Sequence, residues 1–346
     1  MGKTIGLTYN LKTDWPLKAG DPADLNAEFD SPATVEKISE ALSWGGHQVK
    51  KIGHVYNLLE QIKDLDVDIV FNICEGYSGR NRESQVPLLL ELYGIPFVGS
   101  DALTLGLTLD KIIAKKCFMA DGIPTPAFFE AGSTDNLEQL VRQVKFPLIV
   151  KCRYEGTSKG LTEHSKVNDL KSLKQQVEII VRTYHQPAIV EEFIRGSEFT
   201  VAVLGNDDPQ AMPVAQIVMN DRTDLGDNFY TFAMVVSSDL RYTCPAKISE
   251  KLNRQLQEIS VRAYQSVDCR DFGRVDFRVD EKGNPYVLEI NPLPSLAAAD
   301  IFNIFPAVCG STYEKIVNQI LENAFKRYND IDSLKAKRKD CCNVPR

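Results

Sequence analysis

A basic excess is missing. The 40 Lys and Arg stand against 47 Asp and Glu, a net charge of −7, so the chain has no general footprint for a nucleic-acid backbone, although a local basic pocket is compatible with that balance. Long apolar runs are missing too: none approaches the roughly 20 residues of a membrane span. The start MGKTIGLTYN lacks the basic-then-apolar layout of a secretory signal. The expectation is a cytoplasmic protein that binds neither membrane nor nucleic acid. The four histidines are not spaced as zinc ligands, and the eight cysteines (Cys74, Cys117, Cys152, Cys244, Cys269, Cys309, Cys341 and Cys342) include no CxxC, which argues against a zinc site or a dithiol motif. Most of these cysteines read as small buried hydrophobes. The adjacent Cys341-Cys342 pair lies in a polar tail and has no sequence partner for catalysis. The Gly-rich stretch EGTSKG (155–160) is not a Walker loop, since it lacks the Gly-Lys-Ser/Thr order. No Cys-His or Ser-His constellation stands out as a catalytic nucleophile, and no repeat or low-complexity domain is visible.

At 346 residues the chain is long enough for two or three domains with a sizeable core. Residues 3–9 read as a strand, and SPATVEKISEALSWGGHQV (31–49) as a helix capped by Ser31, with Pro32 at its first position, a buried stripe of Val35, Ile38 and Leu42, and an end at Gly45-Gly46. VDIVFNICE (67–75) is a nearly continuous apolar run, as in a strand covered on both faces, and 84–100 adds a helix and a short strand. Strand, helix, strand makes residues 1–102 an α/β domain. Its charged stretches, around Glu28 and from Glu75 through Glu83, have no packing reason. The second follows the apolar strand, at the carboxyl end where α/β sheets place a ligand crevice.

A second domain is expected over 103–205. Lys111 follows Asp110 at the start of a helix, and Lys151 lies near the end of the strand PLIVKC. The loop EGTSKG (155–160) has Gly156 and Gly160 for freedom, Thr157 and Ser158 for hydroxyls, and backbone N–H groups that can face an anion. Residues 167–184 read as an amphipathic helix, and 188–205 as a hairpin around Arg195-Gly196. Glu191, Glu192 and Glu198 interrupt the otherwise apolar hairpin; unpaired carboxylates there are costly, and an adenine amine and ribose hydroxyls would serve as donors. A third domain spans 206–328, with a strand near 212–219, a polar loop over 221–242, helices over 248–267 and 312–327, and a basic tail over 329–346.

The most informative stretch is 270–296, RDFGRVDFRVDEKGNPYVLEINPLPSL. Its period of two predicts a hairpin. A four-residue turn at 281–284 would pair Asp280 with Pro285, Arg278 with Val287, Asp276 with Glu289 and Arg274 with Asn291, opposite a wholly apolar face. Two carboxylates facing each other across strands repel unless a cation lies between them. Asp276, Glu289 and the amide oxygen of Asn291 are hard oxygen ligands, too few for a closed cage, which fits Mg²⁺ completed by phosphates and water.

This hairpin, with YGIPFVGS followed by LDK, IVK followed by EGTSKG, VEEF followed by SEFTV, CPA at 244–246, FGRVD and EINPLP, resembles the D-alanine–D-alanine ligase family of ATP-grasp enzymes over residues 3–328. The resemblance implies an α/β (α+β) ATP-grasp fold of three domains, with the nucleotide between the central and C-terminal ones. It implies that Lys111 and Lys151 contact ATP phosphates and that Glu155, Gly156, Thr157 and Ser158 belong to a mobile loop over them. The segment Glu191, Glu192, Phe193 and Ile194 would hold adenine, with Phe229 beside it, and Glu198 would hold the ribose. Asp276, Glu289 and Asn291 would bind two Mg²⁺, for which Mn²⁺ can substitute. Arg274 and the backbone N–H of Ser295 would stabilise a tetrahedral intermediate, assisted by Lys151 and Ser158. Glu28, Glu75, Glu83 and Asp300 would face the small-molecule substrates, and a homodimer is compatible with the family.

The implied activity is ligation of a carboxylate to an amine, in which ATP phosphorylates the carboxylate and an amine attacks the acyl phosphate. D-alanyl-D-alanine synthesis is an alternative, and a nucleotide-binding regulatory module that lost turnover is one of another class. The chain departs from the family in three places. The stretch Phe229-Tyr230-Thr231-Phe232-Ala233-Met234-Val235 lacks the Lys that reaches the phosphate. The segment Pro294-Ser295-Leu296-Ala297-Ala298-Ala299-Asp300 lacks the Ser that fixes the acceptor carboxylate, and Glu75 stands where many members have His.

Overall fold

The computed structural model describes residues 2–235, 240–328, 331 and 333–336; Cys341-Cys342, most of the 329–346 tail and the side chain of Val235 lie outside them. The N-terminal sheet is parallel, in the order β2-β1-β3-β4, from β1 (Thr4–Tyr9), β2 (Gln48–Gly53), β3 (Ile69–Ile73) and β4 (Phe97–Val98). Its helices are α1 (Pro32–Trp44), α2 (Val55–Gln61) and α3 (Gln85–Leu92). The apolar run of β3 is explained by its two covered faces: Ile69, Phe71 and Ile73 enter one core with α1, while Val70 enters another with Leu58, Val86 and Leu90. Ser31 caps α1, its Oγ accepting from the N–H of Thr34 at 3.2 Å, with Pro32 just inside and Gly46 at φ +85° just beyond. Neither β2 nor α2 was legible; β2 is an edge strand whose adjacent Lys50 and Lys51 break the alternation of a half-buried strand.

After α4 (Ala102–Leu109) and α5 (Lys111–Ala120), a second sheet, antiparallel in the order β5-β8-β6-β7, contains β5 (Phe128–Ala131), β6 (Leu148–Cys152), β7 (Lys166–Val167) and β8 (Ala188–Glu192). Beside the short α6 (Leu137–Leu140), α7 (Leu170–Tyr184) covers one face through Leu173, Val177 and Ile180. The other face, with Lys151 and Glu191, turns towards the third sheet.

That third sheet has the order β12-β11-β9-β13-β14, with β10 on β9, from β9 (Gly196–Leu204), β10 (Gln210–Ala211), β11 (Ala215–Met219), β12 (Leu240–Thr243), β13 (Phe272–Asp280) and β14 (Pro285–Asn291). The helices that follow the second sheet's strands among the described residues include α8 (Phe232–Val235), α9 (Glu250–Ser266), α10 (Ile301–Val308) and α11 (Tyr313–Arg327). Phe199, Val201 and Val203 of β9 join Val275 and Phe277 of β13 in a core with α5 and α9, which leaves Glu198 and Thr200 on the opposite, site-facing side. The hairpin expected over 188–205 is corrected here: β8 and β9 lie in different sheets. Gly196 makes the passage between them, at φ +137°, and a Cβ there would meet the Val279 carbonyl oxygen at 2.0 Å.

Buried Asp271 joins the first and third sheets. It accepts from the N–H of Gly99 at 2.7 Å, from Arg327 of α11 at 2.6 and 3.0 Å and from Asn206 at 3.0 Å. α11 thereby returns to the N-terminal sheet, where it packs beside α1. Among the described residues no helix is long and apolar enough to cross a membrane.

Candidate active site

The hairpin β13–β14 pairs Asp276 with Glu289 and Arg274 with Asn291, as read from the sequence. The rest of the expected register is corrected. The turn closes one residue earlier, through Asp280 N–H to Asn284 oxygen at 3.0 Å, with Gly283 at φ +84°. Arg278 therefore faces Tyr286, and Val279 faces Pro285. A bulge then leaves Leu288 without a partner, between the Phe277–Val287 and Asp276–Glu289 pairs, and restores the offset. It also buries Val287 and Ile290 together in the core while Leu288 and Glu289 both face the site, which strict alternation forbids.

The two carboxylates are met by protein cations. Arg274 Nε and Nη2 lie 3.0 and 2.9 Å from Asp276, the Thr200 hydroxyl donates to Asp276 at 2.6 Å, and the Asn291 amide donates to it at 3.0 Å. Lys111 Nζ lies 3.4 Å from Glu289. Burial works against the charge of Glu289, but Lys111, Lys151 and Arg274 outweigh it and hold its pKa below the usual value. Among the described residues no three His, Cys, Asp or Glu gather as a metal cage. A divalent ion here would depend on Asp276, Glu289, the Asn291 amide oxygen, phosphate and water, and that oxygen-only set fits Mg²⁺.

A cleft between the second and third sheets is lined by Lys151, Glu191, Phe193, Ile194, Glu198, Phe229, Leu288 and Glu289. The reading of Glu191, Glu192 and Glu198 as carboxylates in want of ligand donors is corrected in part. Glu191, 1% exposed, lies 2.9 Å from Lys115 Nζ and 2.7 Å from Lys151 Nζ. Burial opposes its charge, yet the two ammonium groups bring its pKa down to about 2. Glu192 accepts from the N–H of Lys145 at 2.8 Å, and Glu198 lies 3.5 Å from Arg278 Nε. The Ile194 N–H has no internal acceptor among the described residues. Lys115, Arg278 and Leu288 escaped the sequence reading. Lys115 had one usable signal, its place one helical turn after Lys111 on the same face of α5.

The 155–160 loop is shut against the segment between β1 and α1. The Gly156 N–H donates to Glu28 at 2.6 Å, the Gly160 N–H donates to Asp24 at 2.8 Å, and Lys159 bridges Glu28 at 3.2 Å and Glu155 at 2.5 Å. Lys111 donates to the Glu155 carbonyl. The left-handed positions are Thr157, Ser158 and Gly160, at φ +46°, +56° and +76°. Gly156 is needed for closeness instead, since a Cβ there would come within 2.9 Å of Glu28. Arg82, also unforeseen, is 3% exposed and donates to Glu28 at 2.7 Å and to the Tyr154 carbonyl at 2.6 Å. Burial opposes the charge of Glu28, but Arg82, Lys159 and the Gly156 N–H hold its pKa at about 2.

A cavity of about 740 Å³ adjoins the cleft and brings together Glu28, Glu75, Glu83, Ser158, Arg274, Glu289, Ser295 and Asp300. The Ser295 N–H is free of internal acceptors among the described residues, and its hydroxyl accepts from the N–H of Ala297 at 3.2 Å. Asp300 caps α10, accepting from the N–H of Ile301 at 2.7 Å, and its other oxygen lies 3.5 Å from Arg274 Nη1.

The family model described as D-ala D-ala ligase C-terminus matches residues 118–322. The chain is 33% identical over 297 residues to the D-alanine–D-alanine ligase of Carboxydothermus hydrogenoformans, covering 83% of this chain and 91% of that protein. It is 38% identical over 269 residues to the uncharacterized protein y4sG of Sinorhizobium fredii, covering 75% of each. Among solved structures, the D-alanine–D-alanine ligase from Bacillus anthracis complexed with ATP superposes with a TM-score of 0.72 at 22% identity, over 94% of this chain and 98% of that one. The VanG D-Ala:D-Ser ligase from Enterococcus faecalis gives 0.71 at 20% identity, over 94% and 100%.

Proposed function

Because the chain belongs to the D-alanine–D-alanine ligase family of ATP-grasp enzymes, we propose that it joins a donor amino acid to an acceptor amino acid or other amine through an acyl phosphate. It is an ATP-dependent carboxylate–amine ligase, and its family uses ATP with a divalent metal. That sets aside the reading as a regulatory module without turnover. The observation that carries the finer proposal is the facing pair Asp276 and Glu289, set beside Lys111 and Arg274 where the cleft meets the cavity.

In this reading the three domains meet at the site, and the nucleotide lies in the cleft between the second and third sheets. Lys111 and Lys151 neutralise phosphate charge, and the 155–160 loop closes over it with Thr157 and Ser158. Glu191, Glu192, Phe193 and Ile194 hold the adenine, with Phe229 beside it, and Glu198 holds the ribose. Asp276, Glu289 and Asn291 hold two divalent ions, which neutralise charge on the phosphates when bound. The donor carboxylate oxygen attacks the γ-phosphorus and ADP leaves. The acceptor amine then attacks the acyl carbon, the oxyanion forms against Arg274 and the Ser295 N–H, phosphate leaves and the new amide nitrogen loses a proton. No side-chain nucleophile takes part. A second reading, D-alanyl-D-alanine synthesis, is favoured by the names of the relatives and disfavoured by Asp300.

The test is ADP and phosphate release with ATP, Mg²⁺ and pairs of amino acids, with product masses, in the wild type and in Asp276→Asn and Glu289→Gln. Each substitution removes a metal ligand and the carboxylate charge that faces Arg274 or Lys111, without emptying a core site, so ligation is lost while the circular dichroism is kept. Full activity of either variant at limiting Mg²⁺ would remove the metal assignment.

A further inference from the structure

The N-terminal wall of the cavity carries three carboxylates, Asp30, Glu75 and Glu83. Among the described residues no hydrogen-bond donor reaches any of the three side chains. Glu83 is 8% exposed, and Arg82, whose Nη2 lies 4.0 Å away, is committed to Glu28 at 2.7 Å and shared with Glu155 at 3.6 Å. Lys12 and Lys111 are the other cations of this wall; Lys111 lies 3.4 Å from Glu289, and Lys12 only partly offsets the burial of Asp30. Burial first, and then their mutual repulsion, raises Glu75 well above the usual carboxylate range, and burial lifts Glu83 and Asp30 to about 7. Glu28, the carboxylate that a sequence reading would give to a substrate amino group, is already spent on Arg82, Lys159 and the Gly156 N–H.

An α-amino acid whose carboxylate points to the phosphates brings one ammonium to this wall. Three carboxylates without donors, Glu83 buried and Glu75 and Asp30 half-buried, outnumber it, and acids partly withdrawn from water favour cations. We propose that the donor is a diamino acid: its two ammonium groups are received by Glu75, Glu83 and Asp30, and this wall sets the enzyme's preference for a basic side chain. The proposal rests on the ligase reading above.

Two measurements test it separately from that reading. ADP release is followed with ornithine, lysine, norvaline and alanine of both chiralities as donors, against a common set of acceptors. Calorimetry with ornithine and with norvaline, in the presence of Mg²⁺ and a non-hydrolysable ATP analogue, reads binding without turnover. Ornithine is expected to exceed norvaline by about 10-fold or more in kcat/KM and in affinity, the scale of a hydrogen bond to a charged group. In Glu75→Gln and Glu83→Gln, whose fold is checked by circular dichroism, that ratio falls below about 3-fold. Ornithine binding near neutral pH also releases protons, read as a binding heat that depends on the buffer's ionisation enthalpy, and Glu83→Gln reduces that release. Norvaline or alanine ahead of ornithine in both measurements, or an ornithine preference untouched in both variants, overturns the proposal. Turnover confined to neutral donors overturns it and leaves the ligase reading standing. Selective ornithine binding without turnover of any donor pair does the reverse.

Discussion

Glu191→Gln changes one heavy atom between buried Lys115 and half-buried Lys151, and its cost can be worked from the geometry. Glu191 and Lys115 are each 1% exposed, and Lys151 lies 2.7 Å from the same carboxylate. Burial lowers Lys115 despite Glu191, whereas Glu191, Glu289 and Glu198 raise Lys151 against its burial. The fall of Glu191 from 4.5 to about 2, at about 1.4 kcal/mol per pH unit, amounts to about 3 kcal/mol. That lies at the low end of the roughly 3–5 kcal/mol for breaking a buried ion pair from one side. Because the folded pKa is depressed, this stability is fully present above 4.5 and is lost as the pH falls through about 2. Urea unfolding at several pH values from 5 to 8 should therefore show the variant weaker by about 3 kcal/mol at every one of them. Adding Lys115→Met should cost less than the sum of the single changes, since both charges of that contact are then gone. A variant within about 1 kcal/mol of the wild type, or a difference that fades between pH 8 and pH 5, would refute the reasoning.

If Glu191 also accepts from an adenine amine through its remaining lone pairs, ATP should be used in preference to GTP, whose carbonyl would face a carboxylate; equal kcat/KM for the two nucleotides would count against this pocket. D-alanine should be a poor acceptor, because residues 296–300 lack the expected hydroxyl and offer alanine methyl groups and Asp300, an α10 cap beside Arg274 that burial raises above the usual carboxylate range even against that Arg. Product formation with D-alanine alone, compared with a panel of amino acids and amines, checks this, and a kcat/KM for D-alanine above every other acceptor would restore the reading as D-alanyl-D-alanine synthesis.

Local order was written into the chain. Ser31, Asp110, Asp169, Ser249 and Thr312 each cap the helix that follows them, because a cap is a contact between near neighbours. The facing of Asp276 and Glu289 was legible for a less secure reason. A turn shorter by one residue and a bulge at Leu288 cancel, so a uniform hairpin reaches the right pair through the wrong register. The family signature carried the ligase chemistry, since its motifs lie along continuous strands and loops. What only the tertiary structure decided is which charges meet. Period two places Glu191 on a face of β8, but nothing within the strand says that Lys115 of α5 lies against it; period two likewise joined β8 to β9, which the fold puts in separate sheets. Arg82 consumes Glu28 across the same kind of gap and leaves Glu75 and Glu83 without donors. Spacing along a chain determines the side on which a carboxylate emerges, whereas its charge state and its use depend on desolvation and on the cation brought there by a distant segment.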